Sequence, residues 1–66
     1  MTVLLNGERA DTRGARTVAE LAEHYGLHPN TILIEHNGNA LHRREWTGRE
    51  LSEEDRIEFI RVVAGG

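Results

Sequence analysis

The sequence predicts an α+β fold: one helix packed across a mixed sheet of four to five strands. Three observations carry this expectation. Two Asn-Gly dipeptides, Asn6-Gly7 and Asn37-Gly38, each follow a short apolar run, and Asn-Gly between apolar segments is the strongest short hairpin signal. A single segment, Thr17 to Tyr25, repeats apolar residues at helical spacing. A last segment, Arg56 to Val63, begins by alternating charged and apolar residues as a half-buried strand does.

Val3-Leu4-Leu5 reads as the first strand, closed by the Asn6-Gly7 turn, and Arg9 to Thr12 as a weakly apolar return suited to a sheet edge. Gly14 marks a loop. Thr17-Val18-Ala19-Glu20 has the spacing of a capping box, with Thr17 as N-cap and Glu20 three positions on. Behind it Val18, Leu21, Ala22 and Tyr25 form one apolar stripe, while Glu20, Glu23 and His24 face away. Gly26 stops the helix and Pro29 prevents its continuation. Thr31 to Glu35 is β-branched and strand-length, Asn37-Gly38 turns the chain, and Asn39-Ala40-Leu41 is a short return. Arg43 to Leu51 has no clean period and is expected as a turn or short 3₁₀ segment, with Trp46 and Leu51 entering the core. Glu53-Glu54-Asp55 is expected as a solvated turn.

The order is hairpin, helix, strand, short strand, long last strand. This is the β-grasp (ubiquitin-like) order, in which the first and last strands lie central and parallel. One helix across a mixed sheet buries its single apolar stripe economically. Residues 1–63 are assigned to this domain and residues 64–66 to a flexible tail.

Composition narrows the function classes. A chain of 66 residues allows one domain, and a domain of this size buries only about 60% of the surface its unfolded chain exposes. That leaves no room for a deep walled cleft. Without cysteine, disulfides, thiolate metal sites and a thiol nucleophile are excluded, which fits a reducing cytoplasm. The net charge of −3 gives no nucleic-acid footprint, and no apolar run approaches the roughly 20 residues of a membrane helix. The first residues lack the basic region of a signal peptide. All eight cationic residues are arginine, so there is no side-chain amine for isopeptide attachment.

The candidate working part is the ending, Ala64-Gly65-Gly66. Glycines lack a Cβ, so this backbone can thread a passage too narrow for other residues. A terminal carboxylate is a poor electrophile and needs activation, for example by adenylation, before a nucleophile can attack it. The chain has no Gly-rich phosphate loop, so activation must come from a partner that supplies the ATP. Three residues reach only about 10 Å, so that partner must also touch the folded body. If Ile57 and Phe59 face the helix, Ile60 and Val62 lie on the opposite sheet face, with Leu4 and Leu33 as further members of an apolar docking patch. The alternative is that the strand twists or bulges and these residues are core.

Leu5-Asn6-Gly7-Glu8, Thr17-Val18-Ala19-Glu20-Leu21, Glu35-His36-Asn37-Gly38, Arg43-Arg44-Glu45-Trp46, Leu51, Asp55-Arg56-Ile57-Glu58 and Gly65-Gly66, in this order, resemble the sulfur carrier family of thiamine biosynthesis, ThiS. The resemblance covers essentially the whole chain. It implies that an E1-like adenylyltransferase activates the Gly66 carboxylate with ATP, and that sulfur from a cysteine desulfurase converts it to a thiocarboxylate. Thiazole synthase then takes the sulfur. The chain would be a carrier, not an enzyme, with no cofactor of its own. Two positions depart from the family pattern. Glu53-Glu54-Asp55 stands where similar proteins read Asp-Gly-Asp, and His42 replaces a common proline. Both put local geometry in question, not the ending.

Three rival readings remain at this stage. Carriers of the same fold serve molybdopterin synthesis, tRNA thiolation and cysteine or natural-product routes. A ubiquitin-like protein modifier shares the end chemistry. A plain interaction domain could end in a diglycine by accident. His24, His28, His36 and His42 are expected on the surface or in loops, with no metal.

Overall fold

The computed structural model describes residues 1–61. Its elements are β1 (Thr2–Leu5), β2 (Glu8–Asp11), α1 (Val18–His24), β3 (Ile32–His36), β4 (Asn39–Leu41), a 3₁₀ helix (Arg43–Gly48) and β5 (Arg56–Arg61). The five strands form one sheet in the order β2-β1-β5-β3-β4. β1 and β5 run parallel, whereas β1–β2, β3–β4 and β3–β5 are antiparallel. The expected order and the parallel pairing of first and last strands are therefore present. Val62 and Val63, expected to continue the last strand, lie outside the described residues.

Both hairpins follow from their turn residues. Asn6 and Gly7 have φ of 49° and 85°, and Asn37 and Gly38 have 52° and 87°. Positive φ at both central positions is what a two-residue hairpin of type I′ requires. The helix begins as its capping box predicts: Thr17 Oγ1 accepts from Glu20 N at 3.2 Å. Glu20 reaches back to the N–H of Arg16 at 2.6 Å rather than to that of Thr17. Seven residues are too few for a helix to stand alone, so packing holds it. Val18 N donates to Arg49 O (2.9 Å) and Leu51 N to Arg16 O (2.8 Å), which ties the helix start to the chain leaving the 3₁₀ helix.

Val3, Val18, Leu21, Ile34 and Ile57 are fully buried between helix and sheet, with Leu41, Trp46 and Leu51 closing the core. Each fully buried aliphatic side chain contributes roughly 1.5–3 kcal/mol. Among the described residues no helix is long and apolar enough to cross a membrane.

At the two positions where the sequence departs from the pattern it resembles, the backbone is one that glycine and proline also adopt. Glu54 sits at φ 69°, in the left-handed region a glycine would occupy. His42 has φ −69°, close to the value a proline ring imposes. Its N–H also donates to Glu45 Oε1 at 2.8 Å, a bond no proline could make.

Candidate functional site

The residues of the ending, Ala64, Gly65 and Gly66, and Val62 before them, lie outside the described residues. What the structure gives is the body that precedes them in the chain, and that body is organised by the register of β5. Successive side chains of a strand point to opposite faces. Ile57 is buried and Phe59 packs against the core, so Arg56, Glu58 and Ile60 stand on the open face.

Ile60 pairs directly with Leu33 across β3–β5. The two are 42% and 54% exposed, an adjacent apolar pair turned away from the helix. Leu4 does not join them. It pairs with Arg56, four positions back along β5, or about 13 Å at strand rise. Between them lie Glu35, Arg56 and Glu58, which with Gly38 line a shallow depression of about 140 Å³. The open face thus carries one apolar pair at the tail end of β5 and a charged band beside it. On the helix side, Ala19, Ala22, Leu27, Pro29 and Trp46 line a separate groove of about 230 Å³.

The other end of β5 is a hydrogen-bonded cluster centred on Asp55. His36 Nε2 lies 2.7 Å from Asp55 Oδ2, with side-chain exposures of 8% and 12%. Asn37 Nδ2 donates to Asp55 Oδ1 at 3.1 Å, and Ser52 N donates to Oδ2 at 2.7 Å. Burial pushes the Asp55 carboxyl up, but the hydrogen bonds from His36, Asn37 and Ser52 outweigh it and hold it below the usual carboxylate range. Asp11, fully exposed, is also lowered, chiefly by the N–H of Arg13.

Two expectations are corrected here. His36 is not a surface histidine; the alternation of β3 turns it into the core, where it is 7% exposed. The Glu53-Glu54-Asp55 turn is not uniformly solvated, since Asp55 folds inward to meet that imidazole while Glu53 and Glu54 stay exposed. Ser52 and Asp55, three residues apart, give a local hint of the turn. Nothing local links His36 to a partner 19 positions away.

Comparison with known proteins gives three findings. The ThiS family model matches residues 3–66. The crystal structure of a thiamine biosynthesis protein (ThiS) from Geobacter metallireducens superposes with a TM-score of 0.82 at 26% identity, covering 100% of both chains. An uncharacterized protein, ycf40, of Trieres chinensis is 23% identical over 65 residues, covering 98% of this chain and 89% of that one.

Proposed function

We propose that this chain, which belongs to the ThiS family, is a sulfur carrier for thiamine biosynthesis, and that its cargo site is the carboxylate of Gly66. The observation that carries the reading is the coincidence of a diglycine at 65–66 with a family match that runs through residue 66 on a β-grasp body.

The chemistry follows from what a carboxylate lacks. Ionised at neutral pH, it resists nucleophiles. Attack of a Gly66 oxygen on the α-phosphorus of ATP, with loss of pyrophosphate, gives an acyl adenylate. A sulfur nucleophile at the oxidation level of hydrosulfide then displaces AMP and leaves a thiocarboxylate. The chain supplies the acyl group and the docking body. An E1-like adenylyltransferase supplies the nucleotide site, a cysteine desulfurase supplies the sulfur as a persulfide whose outer sulfur a thiol reductant brings to the hydrosulfide level (two thiols becoming one disulfide), and thiazole synthase consumes the product. The Leu33–Ile60 pair, exposed near where β5 ends, suits the body contact these enzymes need, with Val62 as a proposed extension and Leu4 too far away to belong to the same patch.

Intact mass spectrometry of the chain produced with its partner enzymes tests the proposal. The expected result is replacement of one oxygen by sulfur, mapped to Gly66 and absent from a variant lacking Gly66. Unchanged sulfur delivery to thiazole synthase by that variant overturns it. Delivery to a different acceptor alone moves the chain to another sulfur pathway, and Gly-Gly remnants on target lysines identify a protein modifier.

A further inference from the structure

The last residue of β5 opens on a cleft of about 350 Å³ lined by Gly26, Leu27, His28, Thr31, Ile32 and Arg61. β5 and β3 meet here, with Arg61 opposite Ile32. Leu27 and Ile32 form the apolar wall. Arg61 and His28 are exposed and bring the only ionisable groups of the lining among the described residues. Among the described residues no carboxylate lines the cleft, although the chain as a whole is acidic. The carboxylates Glu53, Glu54 and Asp55 are gathered at the opposite end of the same strand. Among the described residues no ion pair engages Arg61. Thr31 fixes the loop that shapes the cleft, its N–H and hydroxyl both donating to His28 O at 3.0 and 3.1 Å.

An enzyme acting on Gly66 works five residues beyond Arg61, a span of at most roughly 17 Å. Part of its surface therefore lies against this end of the body. We propose that the cleft receives an acidic segment of the activating enzyme, with a carboxylate directed to Arg61 and His28 and an apolar neighbour on Leu27 and Ile32. The inference rests on the carrier reading above and adds to it a second contact, separate from the Leu33–Ile60 pair. Complementary charge at such a contact acts on encounter and orientation more than on the chemical step. A monodentate contact to a carboxylate also tolerates lysine in place of Arg61.

The test is ATP–pyrophosphate exchange with the purified activating enzyme, using carrier variants whose urea unfolding matches wild type. Arg61→Glu combined with His28→Glu is expected to raise the KM for carrier about tenfold or more, with kcat little changed, and to weaken the salt dependence of kcat/KM. Arg61→Lys keeps the wild-type KM. Arg44→Glu combined with His42→Glu makes the same charge change at the start of the 3₁₀ helix and leaves KM near wild type. An unchanged KM in the cleft variant, with wild type fully adenylated, overturns the cleft and leaves the carrier reading standing. An equal loss in both double variants reduces the effect to net charge and also overturns it. Failure of wild type to be adenylated removes the carrier reading itself, and the cleft with it.

Discussion

The two ends of β5 are built differently. Where it begins, the strand is held on every side. Arg56 N donates to Asn37 Oδ1 and Asn37 N to Arg56 O, both at 2.8 Å. Leu4 N donates to Asp55 O at 2.8 Å, and Asp55 itself gathers His36, Asn37 and Ser52. Where it ends, the support thins. β1 pairs only as far as Ile57, and its reach is extended to Phe59 by the Asn6 side chain, which accepts from Phe59 N at 2.9 Å. Beyond that, among the described residues, β3 alone pairs with β5, through Ile60 and Arg61. One end therefore uses its polar groups to fix the strand. The other leaves an apolar pair, a cationic cleft and one side of the strand backbone available to another protein. In a domain with so small a core, order is concentrated at the end farthest from the proposed cargo.

Asp55 gives the largest contrast between the ends. Asp55→Ala leaves a buried imidazole, the Asn37 amide and the Ser52 N–H short of a partner, and is expected to cost about 2–4 kcal/mol in urea unfolding. Arg61→Ala at the other end should stay within about 0.5 kcal/mol. Equal losses would erase the asymmetry. The pH dependence sharpens it. The folded-state carboxyl lies below its ordinary value of 3.8. A depressed carboxyl contributes stability that is complete above the unfolded value and is lost as pH falls through the folded one. Wild-type stability should thus drop below pH about 3.8, and Asp55→Asn should flatten the curve in that window.

This contrast was only half legible in the sequence. Asn6-Gly7, Asn37-Gly38 and the Thr17-to-Glu20 cap are local signals, because each is satisfied by residues within a few positions, and they position five of the six regular strands and α-helical elements. The Ile57/Ile60 division of faces was legible too, since strand alternation needs only the strand. The His36–Asp55 contact was not, because it depends on β3 and β5 being neighbours. The separation of Leu4 from Ile60 was hidden for the same reason. Both lie on the open face, but the parallel register that sets Leu4 beside Arg56 is a property of strand pairing. The charge of the cleft at the end of β5 was the least legible feature, since Gly26 to Ile32 meets Arg61 only in the fold.

The two asparagines come next in expected size. Each caps a hairpin at positive φ and also offers its side-chain carbonyl to a β5 N–H. Asn→Gly keeps the turn conformation and removes the acceptor, so it isolates the second role. Asn37→Gly should cost about 1–2 kcal/mol, since it also withdraws a donor from Asp55, and Asn6→Gly about 1 kcal/mol. In amide exchange, Asn37→Gly should speed Arg56 and leave Phe59 slow, with Asn6→Gly doing the reverse. If both variants speed both amides equally, the strand is held as one unit and its ends are not independent.

Glu54 tests whether the well-ordered end is at its optimum. A non-glycine residue in the left-handed region costs roughly 1–2 kcal/mol, and Glu54 carries that strain at φ 69°. Its return is an ion pair with Arg9 at 3.1 Å between two half-exposed or more exposed side chains, worth at most about 1 kcal/mol. Glycine relieves the strain but adds roughly 0.5–1 kcal/mol of backbone entropy to the unfolded chain. The terms nearly cancel, so Glu54→Gly should change stability by no more than about 1 kcal/mol. Glu54→Ala loses the ion pair and keeps the strain, so it should be the less stable of the two. The order of these two variants in urea unfolding is the decisive reading. Alanine above glycine means that the turn does not strain Glu54, and that the polar network around Asp55 sets its conformation at no cost.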